Sequence, residues 1–231
     1  MIKTLLLFDI DGTLIGGSQA GQAAYVKAIK SCFNLEIDLQ GYSTAGKTDI
    51  LILYDLLEAN GVDERKIDKE KLSDSYLKHL EETVLHDPGI VLPGVKRLLH
   101  ELVRVDNLFL ALGTGNLEKA ARIKLGLHSL NRYFQIGGFG SDAPERADLI
   151  AKGISKAVEH FGIKYQRIIV VGDTPFDVEA ARYNGIHSIA VGTGPYDLET
   201  LRNAGATQVL PELADSGAFL KILFSLPTNR T

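Results

Sequence analysis

Two aspartates, Asp9 and Asp11, stand one residue apart in the run LLLFDIDGTLI, whose other early members are apolar: Leu5, Leu6, Leu7, Phe8 and Ile10. An unpaired carboxylate in a buried strand is costly, so this pair needs a compensating charge. Alternate residues of an extended chain face one side, which aims both carboxylates into one pocket. Three further apolar runs end in related chemistry. NLFLAL leads into Gly113, Thr114, Gly115 and Asn116, and RIIVV into Gly172, Asp173, Thr174, Pro175, Phe176 and Asp177. FQIGGFGSDAPER passes through glycines to Arg146. Three carboxylates gathered in one place repel one another unless a cation intervenes. With no His or Cys among them the ligands are hard oxygens, a set that selects Mg²⁺ over zinc. Gly12, Gly113, Gly115 and Gly172 allow the backbone to approach a bound anion closely. Thr13 and Thr114 can donate hydrogen bonds to it. Together these are the parts of a phosphoryl-transfer site.

The elements that must position these residues follow from the hydrophobic pattern. Residues 4–8 read as a short buried strand. From residue 18 to about 86 the spacing turns helical in three stretches, SQAGQAAYVKAIKSCF, KTDILILYDLLEANG and KEKLSDSYLKHLEETVL, with no convincing strand between them. The turn-rich segment DPGIVLPG leads back, and Gly16-Gly17 together with this segment form two candidate hinges. Beyond it, short β-branched strands alternate with helices to the end of the chain. Such alternation implies right-handed crossovers and a parallel sheet covered on both faces, with ligands at the carboxyl ends of its strands. The final PTNRT is expected to fray.

The rest of the sequence narrows the function by exclusion. The 231 residues are 45% hydrophobic and 23% charged, with 25 basic against 29 acidic side chains. No segment is basic enough for a nucleic-acid surface, and no apolar run approaches a membrane span. A single cysteine, Cys32, rules out a disulfide framework. The expected setting is cytoplasmic and the expected state a monomer or weak homodimer. No Gly-x-Gly-x-x-Gly follows the first strand, which argues against hydride transfer. Two residues read in two ways. Asn116 caps the helix LEKAARIKLGL or contacts substrate, and Lys47, at a glycine-flanked turn before a helix, docks an anion or lies on the surface.

With these motifs in place, the chain resembles the haloacid dehalogenase-like superfamily over essentially its whole length. DIDGT resembles the first signature motif, Thr114 the second and GDTPFD the fourth. The helical insert has the position and size of the family's C1 cap. Cap type, GKTD and GDTPFD look most like the branch of phosphoglycolate phosphatases and β-phosphoglucomutases. The resemblance implies an α/β, Rossmann-like parallel sheet core formed by residues 1–16 and 88–231, with a helical cap at 17–87. It further implies that Asp9 is the nucleophile and that Asp11 serves as general acid and then base. Asp9, the Asp11 carbonyl and Asp173 would ligate Mg²⁺, with Asp177 behind them, while Thr114 would bind the transferring phosphoryl group. Gly12, Thr13, Gly115 and Asn116 would bind substrate, and Lys47 would belong to a specificity loop reaching into the site. The third motif usually supplies a Lys; here Arg146 takes the comparable place and Lys152 is the alternative. The implied activity is hydrolysis of a small phosphorylated metabolite, phosphoglycolate-like or a sugar phosphate, with a β-phosphoglucomutase-type phosphomutase as the second reading. A non-catalytic binding protein on this fold would have no use for three mutually repelling acids.

Overall fold

The computed structural model describes residues 2–229, and its elements follow the alternation read above. Strand β1 (Thr4–Phe8) leads to β2 (Ile15–Gly16), then to helices α1 (Ala20–Phe33), α2 (Asp49–Ala59) and α3 (Lys69–His86), and then to β3 (Ile90–Val91). The alternating part comprises α4 (Val95–Leu102), β4 (Leu108–Thr114), α5 (Glu118–Leu127), β5 (Gly137–Phe139), α6 (Arg146–Phe161) and β6 (Arg167–Gly172). It ends with α7 (Pro175–Tyr183), β7 (His187–Val191), α8 (Leu198–Asn203), β8 (Gln208–Leu210) and α9 (Ser216–Ser225).

Six strands form one parallel sheet in the order β5-β4-β1-β6-β7-β8. Side chains alternate across it. Leu6, Phe8, Leu110, Leu112, Ile169 and Val171 share one apolar cluster with α4 and α9, while Leu5, Leu7, Ala111 and Val170 share the other with α6 and α7. Because β1 lies between β4 and β6, with Phe8 level with both Leu112 and Val171, the ends of these three strands open side by side. That register brings Asp9, Thr114 and Asp173 together.

The three helices of the insert bury a separate cluster, to which Leu117 and Ala120 of the α5 segment also contribute. Tyr25 of α1 stacks on Tyr76 of α3 with ring centroids 4.7 Å apart. Part of each segment read as a hinge is paired with the other. Ile15 and Gly16 face Val91 and Ile90 in an antiparallel two-stranded ribbon, a structure too short to leave a periodic signal. Within the segment expected to fray, Asn229 is tied down: its N–H donates to the Gln166 carbonyl and its side chain accepts from the Ile168 N–H; residues 230–231 lie outside the described residues. Among the described residues no helix is long and apolar enough to cross a membrane.

Helix α6 carries Arg146 and sits unusually close to the sheet. A Cβ on Gly138 of β5 would lie 1.9 Å from the Leu149 carbonyl oxygen. Gly138→Ala is therefore expected to cost about 3 kcal/mol of stability by forcing the helix outward. Gly162→Ala, at a left-handed helix end with φ +64 and open space around it, is expected to cost only about 1–2 kcal/mol. Urea unfolding of the two variants checks the difference; equal losses would mean that the close approach carries no weight.

Candidate active site

Asp9 follows β1 directly, and its N–H donates to the Val171 carbonyl of β6 at 2.9 Å. The carboxylate is buried and meets a buried guanidinium. Arg146, the first residue of α6, donates from Nη2 to Asp9 Oδ2 at 2.5 Å and lies 2.7 Å from Asp177 Oδ1, which Nε also reaches at 2.9 Å. The other Asp177 oxygen accepts from the Thr174 N–H (3.0 Å) and hydroxyl (2.7 Å), closing a capping box at the start of α7. Asp173 accepts from the Thr13 hydroxyl at 2.8 Å. One carboxylate oxygen each from Asp9, Asp173 and Asp177 fall within 4.8 Å of one another.

One guanidinium among three buried acids leaves an excess of negative charge. Burial first, then Asp9 and Asp177, hold Asp173 well above the usual carboxylate range. Asp9 is pushed up to about 6, mainly by burial, against the pull of Arg146. Burial opposes the charge on Arg146, but Asp177, Asp9 and Asp173 more than restore it, so its pKa rises.

The other half of the site is built around Asp11, whose side chain is 54% exposed. Lys124 of α5 donates to both of its oxygens, at 3.0 and 2.8 Å. Partial loss of hydration between the two layers works against ionisation of Asp11, but this ion pair and the Asn116 amide bring its pKa below the usual value. Asn116 Nδ2 donates to Asp11 Oδ2 and to the Thr114 hydroxyl, both at 2.8 Å. The cap position of α5 belongs to Leu117, so Asn116 is free to link the two site residues.

The segment between α1 and α2 covers this arrangement. A Cβ on Gly115 would lie 2.3 Å from the Lys47 carbonyl oxygen, so only glycine admits the loop here. The Asp49 N–H donates to the Gly115 carbonyl at 2.9 Å. The buried Asp49 carboxylate accepts from the Leu117 N–H at 2.7 Å and from the Tyr25 hydroxyl at 2.5 Å, so a residue of the insert caps a helix of the sheet layer. Between the two layers lies a cavity of about 250 Å³, lined by Asp9, Asp11, Gly12, Thr114, Gly115 and Asn116 among others.

Most of the residues expected from the sequence thus converge, with Arg146 and not the exposed Lys152 at the cation position. Two take other places. Thr13 is fully buried and lies behind Asp173, holding that carboxylate. Lys47 lines the cavity, but its ammonium is bound by Asp55 (2.7 Å) and the Tyr42 hydroxyl (3.1 Å). Sequence reasoning missed Lys124 and Asp49. Lys124 had left a signal: it falls on the same helix face as Leu117, Ala120, Ala121 and Leu125, and a lysine within an apolar stripe needs an anionic partner.

Several known proteins are similar to this chain. A phosphoglycolate phosphatase of Aquifex aeolicus (strain VF5) is 26% identical over 189 residues, 78% of this chain and 81% of that protein. A hydrolase from Pseudomonas syringae of solved structure superposes with a TM-score of 0.72 at 25% identity, over 96% of this chain and 99% of that one. CbbY from Rhodobacter sphaeroides, solved in complex with phosphate, shares the fold at a TM-score of 0.71 and 19% identity, over 94% of this chain and 97% of that one. Residues 3–185 match the haloacid dehalogenase-like hydrolase family, more than half of the chain, and the protein belongs to that family.

Proposed function

We propose that the protein is a Mg²⁺-dependent phosphomonoester hydrolase that cleaves a small phosphorylated metabolite through an aspartyl-phosphate at Asp9. The observation that carries this reading is the buried cluster of Asp9, Asp173 and Asp177, with Arg146 paired to Asp9 and Asp177, beside a cavity that Asp9, Asp11, Thr114, Arg146 and Asp173 line. The phosphatase named among its relatives supports it.

The donor set suits the cation. Three hard-oxygen carboxylates exceed the one guanidinium present, and burial, then Asp9 and Asp177, disfavour the ionised form of Asp173 in particular. Asp9, Asp173 and the Asp11 carbonyl would hold Mg²⁺, with Asp177 behind them. When bound, the ion neutralises this excess and withdraws charge from the phosphoryl oxygens.

The residues then divide the reaction. An Asp9 carboxylate oxygen attacks phosphorus while Arg146 fixes the carboxylate and faces the phosphoryl charge. The P–O ester bond breaks, and the leaving oxygen takes a proton from Asp11. Thr114 and the Gly115 backbone steady the transferred group. In the second half a water attacks phosphorus and gives its proton to Asp11, the bond to Asp9 breaks, and inorganic phosphate leaves. The Lys124 ion pair favours the carboxylate form of Asp11, which suits the second half and opposes the first, so proton donation to the leaving oxygen requires Asp11 to leave Lys124. Residues 17–87 act as the cap. The ribbon Ile15–Gly16 with Ile90–Val91 joins them to the core, and closure over the site excludes water.

Asp9→Asn is expected to lower kcat for p-nitrophenyl phosphate by at least about 10³-fold; wild-type turnover in this variant would remove Asp9 from the nucleophile role. Treatment with EDTA is expected to abolish activity and added Mg²⁺ to restore it; undiminished turnover in EDTA would exclude the metal-dependent reading. Arg146→Ala leaves buried carboxylates without their partner and is expected to lose about 3–5 kcal/mol in urea unfolding; an unchanged midpoint would show that the ion pair contributes nothing.

A further inference from the structure

Helix α5 has no capping side chain of its own. Its cap position is Leu117, which offers none, so the N–H groups that open the helix need a partner from elsewhere. That partner comes from the insert. Asp49 is buried; one of its carboxylate oxygens accepts from the Leu117 N–H at 2.7 Å, and its own N–H donates to the Gly115 carbonyl at 2.9 Å. The two bonds bracket Asn116 and fall directly behind Thr114. The other carboxylate oxygen accepts from the Tyr25 hydroxyl of α1 at 2.5 Å, which anchors the side chain within the insert.

A second contact seats the same loop on another strand end. A Cβ on Gly46 would lie 2.0 Å from the Phe176 ring, and Gly46 has φ +74, a backbone that side chains rarely adopt. Phe176 stands in the first turn of α7, between Asp173 and Asp177. The loop 44–49 therefore rests on the segments that follow β4 and β6, the two strands that flank β1. Neither contact uses the side chain of Asp9, Asp11 or Asp173.

We infer, resting on the phosphatase reading of this site, that Asp49 is a positioning residue: it ties the seated insert to residues 115–117 and so orders the loop that presents Thr114 to the phosphoryl group. When the insert lifts, the Leu117 N–H and the Gly115 carbonyl lose these partners to water, and the loop behind Thr114 is released. When it seats, one buried residue completes the start of α5 and fixes the loop together. Productive placement of Thr114 is thus coupled to a covered site, and phosphoryl transfer is held back while the cavity is open to bulk water.

Hydrogen exchange read by mass spectrometry on the full chain tests the tie, and steady-state turnover of p-nitrophenyl phosphate with Mg²⁺ tests its consequence. Asp49→Ala is expected to speed exchange at residues 115–119 by at least about tenfold, with the peptides of β1 and β6 as protected as in the wild type, and to lower kcat by at least about tenfold. Asp49→Asn keeps an acceptor for the Leu117 N–H, and asparagine caps a helix as well as aspartate does, so it is expected to restore both readings to within about threefold of wild type. Unchanged exchange at 115–119 or unchanged kcat in Asp49→Ala overturns the inference. So does exchange that rises equally in β1 and β6, or a loss that Asp49→Asn does not restore; each of these leaves the phosphatase reading intact, since the wild-type chain still turns over. A wild-type chain without turnover overturns the phosphatase reading and this inference with it.

Discussion

A guanidinium buried among carboxylates is the interaction on which the rest of the site depends. Arg146 starts a helix, yet it is only 8% exposed and touches both Asp9 and Asp177. Such a charge is stable only because its partners surround it, and they are stable only because it is there. The arrangement fixes three elements at once: the end of β1, the start of α6 and the first turn of α7. One positive charge is too little for three acids, and that imbalance gives the proposed metal a physical reason.

Every structural choice around this cluster serves close approach. The parallel sheet sets three strand ends level, so their first loop residues meet without long side chains. Gly138 lets α6 lie against β5, which brings Arg146 inward, and Gly115 lets the insert's loop rest on the Thr114 segment. The same loop delivers Asp49, which caps α5 from across the cavity. Since α5 also carries Lys124, and Asn116 precedes it, seating of the insert and placement of Asp11 are coupled through one helix.

The core of this arrangement was legible in the sequence because its signals are local. Strand ends rich in Asp, Gly and Thr stand out against apolar runs, and the alternation of short strands with helices specifies the parallel sheet. Arg146 stands at the start of α6, the place the resemblance gives to a cation, and the structure separates it from Lys152 by burial. What stayed hidden depends on contacts distant in sequence. Thr13 and Thr114 look equivalent as hydroxyls, but only the fold turns Thr13 behind Asp173. Lys47 looks free until Asp55 is seen beside it. The ribbon of β2 and β3 is two residues on each side, and no periodicity is expressed in so short a span. Asp49 reads as an ordinary first-turn acid, because nothing in its own helix reveals the bare N-terminus of α5 opposite it.

The proposed reaction requires Asp9 to form a covalent bond to phosphorus while Arg146 holds it. Acid quenching during turnover of p-nitrophenyl phosphate, followed by borohydride reduction and peptide mass spectrometry, reads that bond directly, because reduction of an acyl phosphate converts the aspartate to homoserine. Homoserine at position 9, and at neither Asp11 nor Asp173, is the predicted result. Turnover with no homoserine at position 9, or with homoserine at another aspartate, would contradict it.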